Sequence, residues 1–184
     1  FSFVWWRKSR KNGSMIEEIH RKYLQIKSIK KLNEVKKPSN NFVVNQVFSE
    51  NFQLNKFLYK QIGKKYHWID RLNWSNQEWI NFVSKKNILT FVLKNQSEIA
   101  GFYELILDEE KKEVEISYFG IFEEYFGKRL GGFLLSEAIK KSFHLGAKKI
   151  FVHTCSLDHK NALNNYISRG MEIYKSEILK IKCA

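Results

Sequence analysis

The sequence predicts a mixed α/β (α+β) domain, with one mostly antiparallel sheet flanked by about four helices. Three observations support this. Segments rich in β-branched and aromatic residues recur between turn signals. Several are joined by hairpin-length connections. Helical apolar stripes interrupt them early and late rather than regularly. A chain of 184 residues with 43% apolar and 15% aromatic content is long enough for one well-buried domain and too short for two.

The elements follow in order. Phe42–Phe48 (FVVNQVF) reads as a strand. Glu50–Ile62 carries Leu54, Phe57, Leu58 and Ile62 at helical spacing, with Gly63 as its stop. Ser75 and Glu78 form a capping box for a helix through about Ser84, with Trp79, Phe82 and Val83 on its inner face. Ile88–Leu93, Glu98–Leu107 and Val114–Ile121 read as strands joined by turns at Asn95–Ser97 and Asp108–Lys112. A helix from Gly127 to His144 is closed by Gly146 in the C′ role. Ile150–Thr154 is a short strand, and Asp158 is expected to cap a helix through Arg169 that Gly170 stops. Met171–Ile181 alternates as a last strand.

Residues 1–40 stand apart. They hold eleven Lys/Arg against three Glu, and so most of the formal charge of +13. They read as a basic N-terminal extension, partly helical over Ile16–Lys37 and partly disordered, broken by Pro38 ahead of a domain at 41–184. Phe1–Ser14 differs enough in composition that Met15 is a candidate for the native start. The basic balance invites a nucleic-acid partner, but lysine is frequent throughout, and a solvated basic surface explains it more simply. No apolar run approaches the ~20 residues of a membrane span. Cys155 and Cys183 form no disulfide framework and no metal spacing, which points to a reducing, cytoplasmic setting without a metal.

Ile116–Leu135 (ISYFGIFEEYFGKRLGGFLL) is the stretch that speaks most of function. A strand runs through an acidic turn into a glycine-studded loop that opens a helix. Gly127, Gly131 and Gly132 remove side chains where a backbone would approach an anion, and Lys128 and Arg129 add cationic donors. First-turn amides of a helix lack internal partners, and the helix dipole favours negative charge there. These parts suit a phosphate-bearing cofactor.

With Phe126-Gly127-Lys128-Arg129-Leu130-Gly131 and a later Ala162-x-x-x-Tyr166 helix, the chain resembles the GNAT acetyltransferase superfamily from about Phe42 to Ile178. His67–Arg71 and the VHTCSLDH stretch at 152–159 look like an uncharacterised bacterial branch of it. The loop departs from the family pattern at Phe126, usually Gln or Arg, and at Arg129, usually Gly. The resemblance implies a six- to seven-stranded sheet splayed between its fourth and fifth strands, and an N-acetyltransferase using acetyl-CoA. An amine, from a small molecule or a protein, would attack the thioester directly in a ternary complex.

The same resemblance implies that backbone groups of Phe119, Gly120 and Ile121 meet the pantetheine arm or thioester oxygen, and that Gly127–Gly132 hold the pyrophosphate, Leu130 included. It implies Tyr166 as the acid that protonates the leaving thiolate. Glu115 is the first candidate for the base and Glu104 the second. Strand alternation puts Glu115 on one face with Ser117 and Phe119, unless a bulge shifts the parity. His153 reads as a core histidine, Cys155 as a small buried thiol, and Trp68, Trp74 and Trp79 as packing. Two other readings stand beside the enzyme: an acyl-CoA-binding module without turnover, and a nucleic-acid-associated protein using the basic arm. The acceptor and the oligomeric state do not follow from the sequence.

Overall fold

Eight strands among the described residues form one sheet in the order β1-β2-β7-β6-β5-β4-β3, with β8 on the other side of β2. The computed structural model describes residues 9–11, 14–48 and 51–182. Cys183 and most of the segment ahead of Met15 lie outside them. The strands are β1 Ser9–Lys11, β2 Ser14–Ile26, β3 Phe42–Val47, β4 Ile88–Asn95, β5 Glu98–Asp108, β6 Glu113–Ile121, β7 Lys149–Cys155 and β8 Glu172–Lys182. The helices are α1 Phe52–Gly63, α2 Asn76–Val83, α3 Leu130–His144 and α4 Ala162–Ser168. The β6–β7 pairing is parallel and every other pairing is antiparallel.

The two faces of the sheet are covered differently. Leu24, Leu93, Leu105, Ile116, Ile150 and Val152 point to the face packed by α3 and α4, where Leu134, Leu135 and Ile139 fill the main core. On the other face α1 sets Leu58 and Ile62 against Val92 and Phe102. Trp79 of α2 is wholly buried beside Tyr59 and Val83. The capping box at Ser75 and Glu78 forms as the sequence predicts, with both reciprocal hydrogen bonds.

Three expectations are corrected. The arm expected to be partly helical is strand β2, paired with β7 on one side and β8 on the other. Its apolar residues Ile19, Leu24 and Ile26 are buried, and sheet pairing on both sides outweighs whatever helical preference its charged residues carry. The helix expected from Gly127 begins at Leu130, because Gly127 (φ 77°) and Arg129 (φ 60°) are left-handed. The last helix begins at Ala162 rather than beside Asp158. The Asp158 carboxylate instead accepts from Thr154 Oγ1 (2.7 Å) and the Cys155 amide (2.9 Å), tying the turn after β7.

Residues 27–41 cross from β2 to β3 over the α3–α4 side. Leu32 and Val35 pack on the main core, and the Val35 amide donates to Ser136 Oγ at 2.9 Å. A Cβ on Gly170 (φ 95°) would collide with the Lys31 carbonyl, so glycine is required where this crossing meets the end of α4.

Candidate functional site

The gap between β6 and β7 is the dominant feature. The two strands pair only over Glu113–Glu115 and Lys149–Phe151, although β6 runs on to Ile121 and β7 to Cys155. Beyond that rung β6 has no partner on its β7 side among the described residues. Phe119, Gly120 and Ile121 therefore line an open edge at the carboxyl ends of two parallel strands, the usual place for a ligand in a sheet of this kind. Gly120 is glycine for packing as well. A Cβ there would collide with Ile62, so its absence lets α1 lie on β6.

The loop after β6 leads from this gap to the N-terminus of α3. A short turn at Glu123–Tyr125 is followed by extended Phe126, left-handed Gly127, Lys128 and left-handed Arg129. Arg129 is the N-cap and makes no side-chain capping bond. A non-glycine residue held there costs of order 1 kcal/mol. The first bond closing the helix runs from the Phe133 amide to the Arg129 carbonyl (3.2 Å). The amides of Leu130, Gly131 and Gly132 precede it without helical acceptors.

The loop glycines are not equivalent. A Cβ on Gly127 would meet nothing, and one on Gly131 would reach only Asn165 Nδ2 at 3.5 Å, an ordinary contact. Protein packing does not demand glycine at either, although the backbone at Gly127 favours it. A Cβ on Gly132 would collide with the Arg169 guanidinium and approach Val35 Cγ2 to 2.9 Å. Arg169 was not singled out in the sequence, where it reads only as the end of a helix. Its Nε is buried without a partner among the described residues, and burial, with repulsion from Arg129, holds its pKa below the ordinary value. Two guanidiniums at a helix N-terminus make a site suited to an anion.

Tyr166 of α4 lies on the α3–α4 side of β6. It is 6% exposed, and its ring meets Phe119 edge-on at 6.4 Å. Burial first, and then Asp158, push its pKa well above the ordinary phenol range, so it is neutral and carries its proton. Asn165, one residue earlier, donates to the Gly131 carbonyl at 3.1 Å and so ties α4 to the first turn of α3.

The two glutamates have different surroundings. Glu104 is 2% exposed and pairs bidentately with Arg71 (2.8 and 2.9 Å), while Ser117 Oγ donates to the same carboxylate at 2.6 Å. Arg71 is sandwiched among rings, with Phe82 at 4.1 Å and Tyr118 at 4.6 Å. Burial works against the Arg71 charge, but the Glu104 bonds and charge outweigh it and hold its pKa above the ordinary value. Glu115 has no ion pair among the described residues. Burial, reinforced by repulsion from Glu104 and eased by Arg71, pushes its pKa up.

A bulge decides which groups share a face. Glu104 pairs with Tyr118 and Leu105 with Ile116, so Ser117 is the extra residue. Ser117 reaches Glu104, and Tyr118 packs on Tyr59 and Trp68 of the same face. Phe119 then turns to the opposite face, towards Tyr166. The simple alternation that placed Phe119 with Glu115 fails at this one residue.

A raised carboxyl pKa has a sign for stability. The folded protein favours uncharged Glu115, so its contribution is full below the ordinary carboxyl pKa of about 4.3 and is lost as pH rises through the folded value. Glu115→Gln should raise the melting temperature at neutral pH. In melts across the acid range the gain should vanish below about pH 4, and a gain that did not depend on pH would contradict this account.

Other residues fall out as follows. Cys155 is half-buried, and burial pushes its thiol pKa up, as suits an inert side chain. Trp68, Trp74 and Trp79 are packing around Arg71 and Tyr59. His153, expected in the core, is exposed, because β7 buries Ile150, Val152 and Thr154 and turns its alternate residues the other way. An open groove of about 710 Å³ is lined by Phe57, Ile99, Phe122, Tyr125 and Lys128 among others. Among the described residues no His, Cys, Asp and Glu cluster has metal-binding geometry, and no helix is long and apolar enough to cross a membrane.

A family model described as "Acetyltransferase (GNAT) family" matches residues 48–171. A GCN5-related N-acetyltransferase from Sphaerobacter thermophilus has a similar structure, 12% identical with a TM-score of 0.69, over 89% of this chain and 51% of that one. An aminoglycoside acetyltransferase from an uncultured soil metagenomic sample is 13% identical with a TM-score of 0.61, over 72% and 90% of the two chains. An IAA acetyltransferase from Bacillus cereus is 23% identical with a TM-score of 0.54, over 73% and 79%. At these identities the likeness is one of fold. The chain spans about half the length of the S. thermophilus protein. No curated protein matches it.

Proposed function

The chain belongs to the GNAT family of acetyltransferases, and from that premise we propose that it moves an acetyl group from acetyl-CoA to a primary amine by direct attack within a ternary complex. The observation that carries the reading is the β6–β7 gap, which runs into a helix N-terminus flanked by Arg129 and Arg169. The residues present fit the coenzyme. Arg169 Nε lacks a partner among the described residues, and the space beside Gly131 is not needed for packing among them. Leu130, Gly131 and Gly132 would offer amides to the pyrophosphate, with Gly127 shaping the loop and Lys128, Arg129 and Arg169 supplying positive charge. The open edge at Phe119, Gly120 and Ile121 would bind the pantetheine amides and orient the thioester carbonyl.

Proton traffic falls to side chains. Alkylamines carry a proton at neutral pH and must lose it to attack. Glu115, half-buried on the last β6–β7 rung and without an ion pair among the described residues, is the carboxylate suited to accept a proton from the acceptor nitrogen. Glu104 is already committed to Arg71 and Ser117, which leaves it the weaker candidate. Tyr166 would donate to the departing thiolate; burial keeps it protonated at neutral pH but also makes it a weaker acid, so its help to a thiol leaving group is modest.

Thiol release from acetyl-CoA with a panel of primary amines tests the reading. Calorimetric binding of acetyl-CoA without release from any amine would favour a binding module instead. Tyr166→Phe should lower kcat about 10-fold while the acetyl-CoA Kd stays within about twofold, because a thiol leaving group needs acid help less than an alkoxide would. An unchanged kcat would reduce Tyr166 to a packing residue.

A further inference from the structure

The overall reaction removes two protons from the acceptor nitrogen. An ammonium loses one to become a nucleophile, and the nitrogen loses a second once it has bonded to the carbonyl carbon. One proton is returned to sulfur, and one leaves for solvent. A carboxylate at the floor of the gap accounts for only one of these departures. The structure holds a second group placed for the other.

His153 stands two residues past the last β6–β7 rung, so it lies on the wall of the gap where the strands have parted. Phe151 is the register partner of Glu115, and His153 follows it on the same face. Its own register partner is Tyr23 of β2, whose ring is 5.8 Å away. Across the gap the Tyr118 hydroxyl donates to Asp70 at 3.2 Å. No hydrogen bond to the imidazole is found among the described residues, and the residue is exposed.

We propose that His153 accepts the first proton, from the acceptor ammonium before attack, and releases it to solvent, while Glu115 accepts the second, which by way of solvent replaces the proton that Tyr166 gives to sulfur. The assignment rests on the transferase reading above. His153, open to water, can exchange its proton with bulk between turnovers, whereas Glu115 is more enclosed. The charge balance around the imidazole is consistent. Desolvation first, and then Arg21 on β2, lower its pKa, while Asp158 after β7, Asp70 after α1 and Glu177 of β8 work the other way. Cys155 of β7 and Tyr23 of β2 stand beside it, Lys175 of β8 lies over the Tyr23 ring, and Glu115 lies across the rung. The net result is a neutral ring at physiological pH, able to take a proton.

The test compares the full-length chain and its His153→Gln variant with two acceptors, ethylamine, which is protonated at neutral pH, and aminoacetonitrile, which is not. With ethylamine, kcat/KM should fall about 10- to 100-fold in the variant, and the acid limb of its pH profile that an imidazole sets should disappear. With aminoacetonitrile the variant should stay within about twofold of the parent, and acetyl-CoA affinity should not change. Equal losses with both amines, or no loss with ethylamine, would overturn the assignment of His153 while leaving the transferase reading intact. Failure of the parent chain to release thiol with these two amines and with the wider panel of primary amines would overturn both.

Discussion

Gly131→Asp should weaken acetyl-CoA binding by about 100-fold or more, some 2.7 kcal/mol or above, while leaving the melting temperature within a few degrees. The two halves of this expectation come from separate observations. A side chain at residue 131 points into space where the protein offers only Asn165 Nδ2, at an ordinary contact distance. The fold should therefore accept one. A carboxylate there would face a diphosphate across a few ångströms in a site screened from water, where like charges repel strongly. Isothermal calorimetry with the variant reads the loss, and a thermal melt checks that folding survives. An unaltered affinity would remove the loop as the pyrophosphate site. Gly131→Ala separates bulk from charge, and its effect should be several-fold smaller.

Arg71→Ala should be the most damaging single truncation for stability, by about 3–5 kcal/mol, or roughly 10 °C in melting temperature. Arg71 and Glu104 are 6% and 2% exposed and hold each other in a bidentate pair. Removing the guanidinium leaves a buried carboxylate with only Ser117 to answer it, and empties a slot walled by Tyr59, Trp74, Trp79, Phe82 and Tyr118. Replacing both partners by apolar residues of similar volume, Arg71→Met with Glu104→Leu, should recover more than half of the loss, since no charge is then stranded. Ser117 keeps a partner in that variant, because its hydroxyl also donates to the Glu104 carbonyl at 3.2 Å. A double variant as unstable as the single one would show that the pair contributes more than mutual neutralisation. Chemical denaturation of the two variants and the parent measures all three.

Much of this molecule was legible in its sequence because the signals were local. The capping box at Ser75, the strands from Ile88 to Ile121, and the glycine stops at Gly146 and Gly170 each follow from residues a few positions apart. The loop's left-handed residue 129 was visible as a departure from glycine. What escaped depends on distant partners. β2 reads as a charged arm until β7 and β8, more than a hundred residues later, are set beside it. The bulge at Ser117 has no composition signature of its own, yet it reverses the face of Phe119. Arg169 is one basic residue among thirty-two until the fold brings it to Gly132 and Arg129. His153 looked like a core residue because a lone histidine on a short apolar strand usually is one.

The position of β2 also sets a clock on assembly. Apart from the short β1, its sheet partners are β7 and β8, made near the other end of the chain. A nascent polypeptide emerging from the ribosome must therefore carry this strand without those partners until residue 149 and beyond are synthesised. Closing that long loop delays the final zipping of the sheet. The half that bears β3 to β6 and α1 has its partners at hand much earlier. Maturation should proceed in two stages, with the β6–β7 gap taking shape only in the second.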